Sequence, residues 1–75
     1  MEVYGKSFCF TGQLVRYSRR DVNALVRRLG GTVSNHVCAS TDYLVSSVKT
    51  GRKMADARRM GVEVITEEEF MEMVA

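Results

Sequence analysis

The sequence predicts an α/β domain in which a four-stranded parallel sheet is covered by three helices, in the order β-α-β-β-α-β-α. Three observations carry that reading. Short apolar runs alternate with stretches whose apolar residues recur at helical spacing, and strands separated by helices imply right-handed crossovers and parallel pairing. Glycines at 30–31, 51 and 61 mark the edges of those stretches. The segment Asp42–Ser46 is apolar through its centre instead of alternating, as in a strand covered on both faces.

Lys6–Phe10 reads as the first strand, ended by Thr11-Gly12, with Gln13–Tyr17 as a loop. Ser18 is a good N-cap, and Asp21 three residues on completes a capping box. Val22, Leu25, Val26 and Leu29 form one helical stripe, which Gly30-Gly31 stops. Thr32–Ser34 is a short strand, and residues 35–41 are a polar loop before the Asp42–Ser46 strand. The second helix spans Arg52–Met60, with a thin apolar face of Met54, Ala55, Ala57 and Met60. Val62–Ile65 is the fourth strand. Thr66 and Glu69 make a second capping box for a helix over Glu67–Val74, whose first-turn acids suit the helix dipole and whose inward stripe is Phe70, Met73 and Val74. The expected core is Phe8, Phe10, Leu25, Leu29, Leu44, Val45, Val64, Ile65 and Phe70.

At 75 residues the chain is expected to be one domain, residues 1–75, with 45% hydrophobic and 27% charged residues, the composition of a soluble globule. Residues 1–4 lack the basic and apolar regions of a secretory leader, and no apolar run approaches a membrane span. The start at Met1 and the end at Val74-Ala75 read as trimmed boundaries, with a natural small protein and an excised domain both left open. Cys9 and Cys38 form no CxxC pair, and with a single His they supply no metal set. No metal or cofactor is expected, and the setting is expected to be cytoplasmic. The two cysteines are expected to be unbonded to each other, with Cys9 buried.

Charge is unevenly spread. Residues 1–62 hold all 11 Lys and Arg with four of the nine acids, and residues 63–75 hold the other five acids and no base. Such a distribution allows a basic face and an anionic partner. The strand ending in Thr11-Gly12 feeds a helix whose first residue is Arg19, and Lys53 lies at a second helix start after Gly51. A cation at a helix N-terminus opposes the dipole unless an anion is held there. A hydroxyl, a free backbone N–H and two cations are what a phosphate needs. Arg16, Arg20, Lys49 and Arg52 are candidates for neighbouring contacts to a nucleic-acid backbone, salt-dependent and largely sequence-independent. Arg27, Arg28, Arg58 and Arg59 lie late in their helices and suit the dipole there. Tyr43 is expected in the sheet, Tyr17 is an open loop position that could stack on a base, and His36 has no acid placed for a triad. No nucleophile elbow, P-loop or carboxylate pair is present, so the domain itself is not expected to be an enzyme.

The ordered set Gly5-Lys6-x-Phe8-x-Phe10-Thr11-Gly12, Ser18-Arg19, Leu29-Gly30-Gly31-x-Val33, Ser40–Val45, Gly51-x-Lys53, Gly61-Val62 and Glu68-Glu69-Phe70 resembles the BRCT domain family almost end to end. It is most similar to the single BRCT domains of bacterial NAD-dependent DNA ligases and of the clamp-loader large subunit. The resemblance implies strand order 2-1-3-4, with the first and third helices on one face and the second on the other. It also implies a phosphate site made of Thr11, Gly12, Arg19 and Lys53, serving DNA 5′-phosphate ends or nicks within a replication or repair protein. A protein–protein adaptor, including a phosphopeptide reader, is the alternative. Many members carry a tryptophan in the last helix where this chain has Phe70, which argues against the tandem phosphopeptide readers. The isolated domain is expected to be a monomer with no membrane partner.

Overall fold

The computed structural model describes residues 3–75; Met1 and Glu2, which enter the sequence reading through charge and the leader test, lie outside the described residues. The elements run β1 (Ser7–Thr11), α1 (Arg19–Arg28), β2 (Thr32–Val33), β3 (Tyr43–Ser46), α2 (Arg52–Met60), β4 (Glu63–Ile65) and α3 (Glu67–Val74). The sheet order is β2-β1-β3-β4, and every neighbouring pair is parallel. The fold class and strand order therefore match the sequence expectation, with strand ends moved by a residue or so.

Strand alternation sorts the side chains onto two faces. Phe8, Phe10, Val45 and Ile65 point to one side, where they pack with Val22 and Val26 of α1 and Phe70 of α3. Cys9 and Leu44 point to the other side, under Met54 and Ala57 of α2, with Val64 half-buried beside them. Phe70 meets Phe8 and Phe10 edge-on, with ring centroids 5.6 and 5.3 Å away. That geometry suits aromatic quadrupoles and fixes α3 on the sheet. Tyr43 stacks on Phe8 at 5.3 Å, as a sheet residue should.

Several expected core positions are corrected. Leu25, Leu29 and Val64 are half-buried: Val22 and Val26 take the buried centre of the α1 stripe, and Val64 lies on the outer strand β4. On α2 only Met54 and Ala57 are buried, while Ala55 and Met60 face solvent. Val3, absent from the expected core, is 1% exposed and packs with the aromatic face. Cys9 is buried and Cys38 exposed, and both are free thiols. No helix among the described residues is long and apolar enough to cross a membrane.

Both expected capping boxes form. Ser18 Oγ accepts from Asp21 N–H at 3.1 Å and Thr66 Oγ1 from Glu69 N–H at 3.1 Å, and each acid reaches back to the cap's N–H. The start of α2 is different. Its N-cap is Gly51, with no side-chain bond to the first turn and no acid in that turn.

Candidate phosphate site

The site grows out of the unequal lengths of β1 and β2. Along β1, carbonyls alternate sides. Those of Lys6 and Phe8 accept from Thr32 and Ser34 N–H on the β2 side, both at 2.9 Å. The Phe10 carbonyl, two residues on, points the same way, but β2 has already ended. A strand carbonyl left without a partner is costly. Arg19 Nη1 and Lys53 Nζ fill the vacancy, each donating to the Phe10 oxygen at 3.1 Å. Arg19 Nη2 also donates to the Gly12 carbonyl at 3.2 Å.

The two cations come from opposite faces of the sheet. Arg19 is the first residue of α1, above the aromatic face, and Lys53 is the second residue of α2, below it. Both helices start at the C-terminal edge of β1, so their N-termini flank one strand end. Each cation keeps further N–H donors beyond those spent on carbonyls. The first-turn N–H groups of α2 carry no side-chain cap.

Gly12 has φ 81°, and a Cβ built there would run into the Ser47 hydroxyl. Any other residue would meet both strain and a clash, so the backbone passes close to Ser47 and the chain turns away from the sheet. Thr11 pairs with Ser46 in register at the end of β1, and its carbonyl accepts from Ser47 N–H at 3.3 Å. Thr11, Gly12, Arg19 and Lys53 are thus brought to one strand end.

The flanking basic residues separate into groups. Arg16 lies in the loop lining a shallow cleft that runs from Gly12 to Arg19. Arg52 lines a second cleft with Lys53, His36 and Asp56 at the start of α2. Arg20 and Lys49 are exposed. Tyr17, in the loop, is half-buried and packs against the aromatic core.

Sequence reading missed the partner of this loop. Glu67, read only as one of three acids in the first turn of α3, is 6% exposed. Its carboxylate accepts Val15 N–H at 2.9 Å and Arg16 N–H at 2.8 Å, across more than 50 residues of chain. Burial works to raise its pKa. The amide donors of Val15, Arg16 and Tyr17, with the Arg16 charge, outweigh that and hold the carboxyl below the usual range. Glu67 falls on the helical face of Phe70 and Val74, at i, i+3 and i+7, which sets it apart from Glu68 and Glu69, but its partner is fixed only by the tertiary contact. The environment of Cys38 is likewise set by the fold of its loop. Its thiol, 3.0 Å from Ser40 Oγ and 3.5 Å from Thr41 Oγ1, is lowered to about 7, chiefly by the Ser40 hydroxyl and then by Thr41.

The chain is thus a small parallel α/β module that gathers two cations at the C-terminal edge of its first strand. The chain belongs to the BRCT family: the model of the BRCA1 C Terminus (BRCT) domain matches residues 3–74. It is 43% identical over 70 residues to DNA ligases from Syntrophotalea carbinolica and Geobacter sulfurreducens, and 40% identical over 72 residues to the DNA ligase of Afipia carboxidovorans. Those matches cover 93%, 93% and 96% of this chain. The chain spans about a tenth of the length of these relatives. The crystal structure of Rad4 BRCT1,2 in complex with an Mdb1 phosphopeptide superposes with a TM-score of 0.85 at 19% identity, over 96% of this chain and 39% of that one. The Crb2 phosphopeptide complex of the same protein superposes equally well. These likenesses establish the shared fold.

Proposed function

We propose that the domain binds a phosphate group at the C-terminal edge of β1, and that its physiological form is the 5′ phosphate of a DNA end or nick. The observation that carries this reading is the convergence of Arg19 and Lys53, from opposite sheet faces, on one carbonyl beside Gly12. The cations are held in place before any ligand arrives, so binding costs little side-chain ordering. Thr11 Oγ1 and the Gly12 N–H donate to the phosphate oxygens, while Arg19 and Lys53 supply charge. Arg16, Arg20, Lys49 and Arg52 contact the adjoining nucleic-acid backbone. The kinship with DNA ligases favours a DNA phosphate over a peptide one. The domain binds without cleaving or joining anything, as a DNA-directed part of a longer replication or repair protein.

The test is titration with a 5′-phosphorylated duplex and its unphosphorylated twin at one salt concentration, read by amide chemical shifts. A phosphoserine peptide serves as the second ligand. The phosphorylated duplex should bind at least about 10-fold tighter, with the largest shifts at Thr11 and Gly12. Removing one charge-assisted bond costs about 1.5–3 kcal/mol, so Arg19→Ala or Lys53→Ala should weaken binding roughly 10- to 100-fold. Affinity should fall steeply with salt. Equal affinity for the two duplexes overturns the DNA-end reading. Preference for the phosphopeptide transfers the pocket to the adaptor role.

A further inference from the structure

Gly12 and Arg19, two members of the proposed phosphate site, sit at the two ends of the β1–α1 loop. Its intervening residues belong to no helix or strand. Leu14 and Tyr17 pack against the aromatic core. Between these apolar anchors, Val15 and Arg16 have exposed side chains, Val15 at 87%, and nothing in the core explains why their backbone should be fixed. It is fixed by Glu67, whose two carboxylate oxygens each take one of their N–H groups, at 2.9 and 2.8 Å. A carboxylate only 6% exposed is expensive to keep charged, and here it is spent on a solvent-facing loop.

We propose that Glu67 is a positioning residue of the phosphate site, fastening the β1–α1 loop so that Gly12 and Arg19 are held at their binding separation before the ligand arrives. The inference rests on the phosphate reading above and adds to it a member that touches no ligand. Without the fastening, the loop samples other conformations and the ordering cost falls on binding. The bidentate geometry sets the chemistry of the test. Glu67→Gln keeps the shape but turns one acceptor into a donor facing an N–H. Glu67→Asp keeps the charge and withdraws it by one methylene.

The experiment compares wild type, E67Q and E67D for binding to 5′-phosphorylated and unphosphorylated duplex, with amide hydrogen exchange recorded on each protein. Expected are fast exchange at residues 15 and 16, a fall in protection at Phe8 and Leu44 no larger than the variant's loss of global stability, and a preference for the phosphorylated end reduced about tenfold. A role confined to the fold would lower protection throughout the sheet and leave that preference intact in the folded fraction. Unchanged preference in variants whose loop amides have become fast overturns the inference and leaves the phosphate site standing. Global unfolding of both variants overturns it as well, making Glu67 a residue of the fold. No preference in the wild type overturns the phosphate reading and this inference together.

Discussion

The two faces of the sheet are built to different standards. One is aromatic and layered: Phe8 and Phe10 lie under α1 and α3, with Phe70 inserted edge-on between the sheet and α3. The other is thin: Cys9 and Leu44 lie beneath a single helix that buries only Met54 and Ala57. Yet each face delivers one cation to the same carbonyl. Fold stability is therefore concentrated on one face while the candidate site draws equally on both. The thin face has only to hold one helix start in place.

The comparison can be broken most directly by truncating its anchors. Phe70→Ala should cost about 3–5 kcal/mol in urea unfolding, since a fully buried ring that contacts two others leaves a cavity. Met54→Ala on the thin face should cost about 2 kcal/mol, the low end for such a truncation, because its site is 8% exposed and can partly refill. Equal losses for the two would show that the faces share the load.

A smaller effect belongs to Glu67. Its substitution by Gln should cost about 1–2 kcal/mol at neutral pH through disrupted amide bonds. The folded carboxyl titrates below its unfolded counterpart, so its contribution is complete above the ordinary carboxylate pKa of about 4.3 and is lost as pH falls through the depressed folded value. The gap between wild type and variant, measured by denaturant titration, should close in that acid range. A gap independent of pH would mean that packing, not charge, is what Glu67 contributes.

The smallest effect leaves stability untouched. Cys9 lies buried beneath α2 and Cys38 is exposed, so their alkylation rates compare the thin face with open solvent. Cys38 should label rapidly, its rate rising through a midpoint of about pH 7 as the thiolate forms. Cys9 should label only as fast as α2 opens. Labelling of both at similar rates would show that the thin face opens readily under native conditions.

How much of this was legible in the sequence depended on how local the cause was. The capping boxes at Ser18 and Thr66 were readable because their partners lie three residues away. The stripe that buries Val22 and Val26 was readable from its spacing, and Phe70 from its place on α3. The half-exposure of Leu25, Leu29 and Val64 was not, because it depends on which residues of α1 sit over the sheet and on β4 being an outer strand. Arg19 and Lys53 were identified as cations at helix starts and grouped by family resemblance. Their shared acceptor was invisible, because it arises from the difference in length between β1 and β2. The partner of Glu67 was hidden because it lies more than 50 residues away, and the packing of Tyr17 against the core because loop anchors leave no periodic trace.

The brevity of β2 also bears on self-association. Strand edges with open N–H and C=O groups invite pairing with another chain, and short or charged edges discourage it. Here the outer strands have only two and three residues. Where β1 runs on past β2, the one carbonyl that an incoming strand could use is already held by a guanidinium and an ammonium. A second copy of the chain would have to displace both charges to extend the sheet at that point. The same pair of cations thereby closes the one stretch of β1 that β2 leaves uncovered, while the outer edges themselves are kept short.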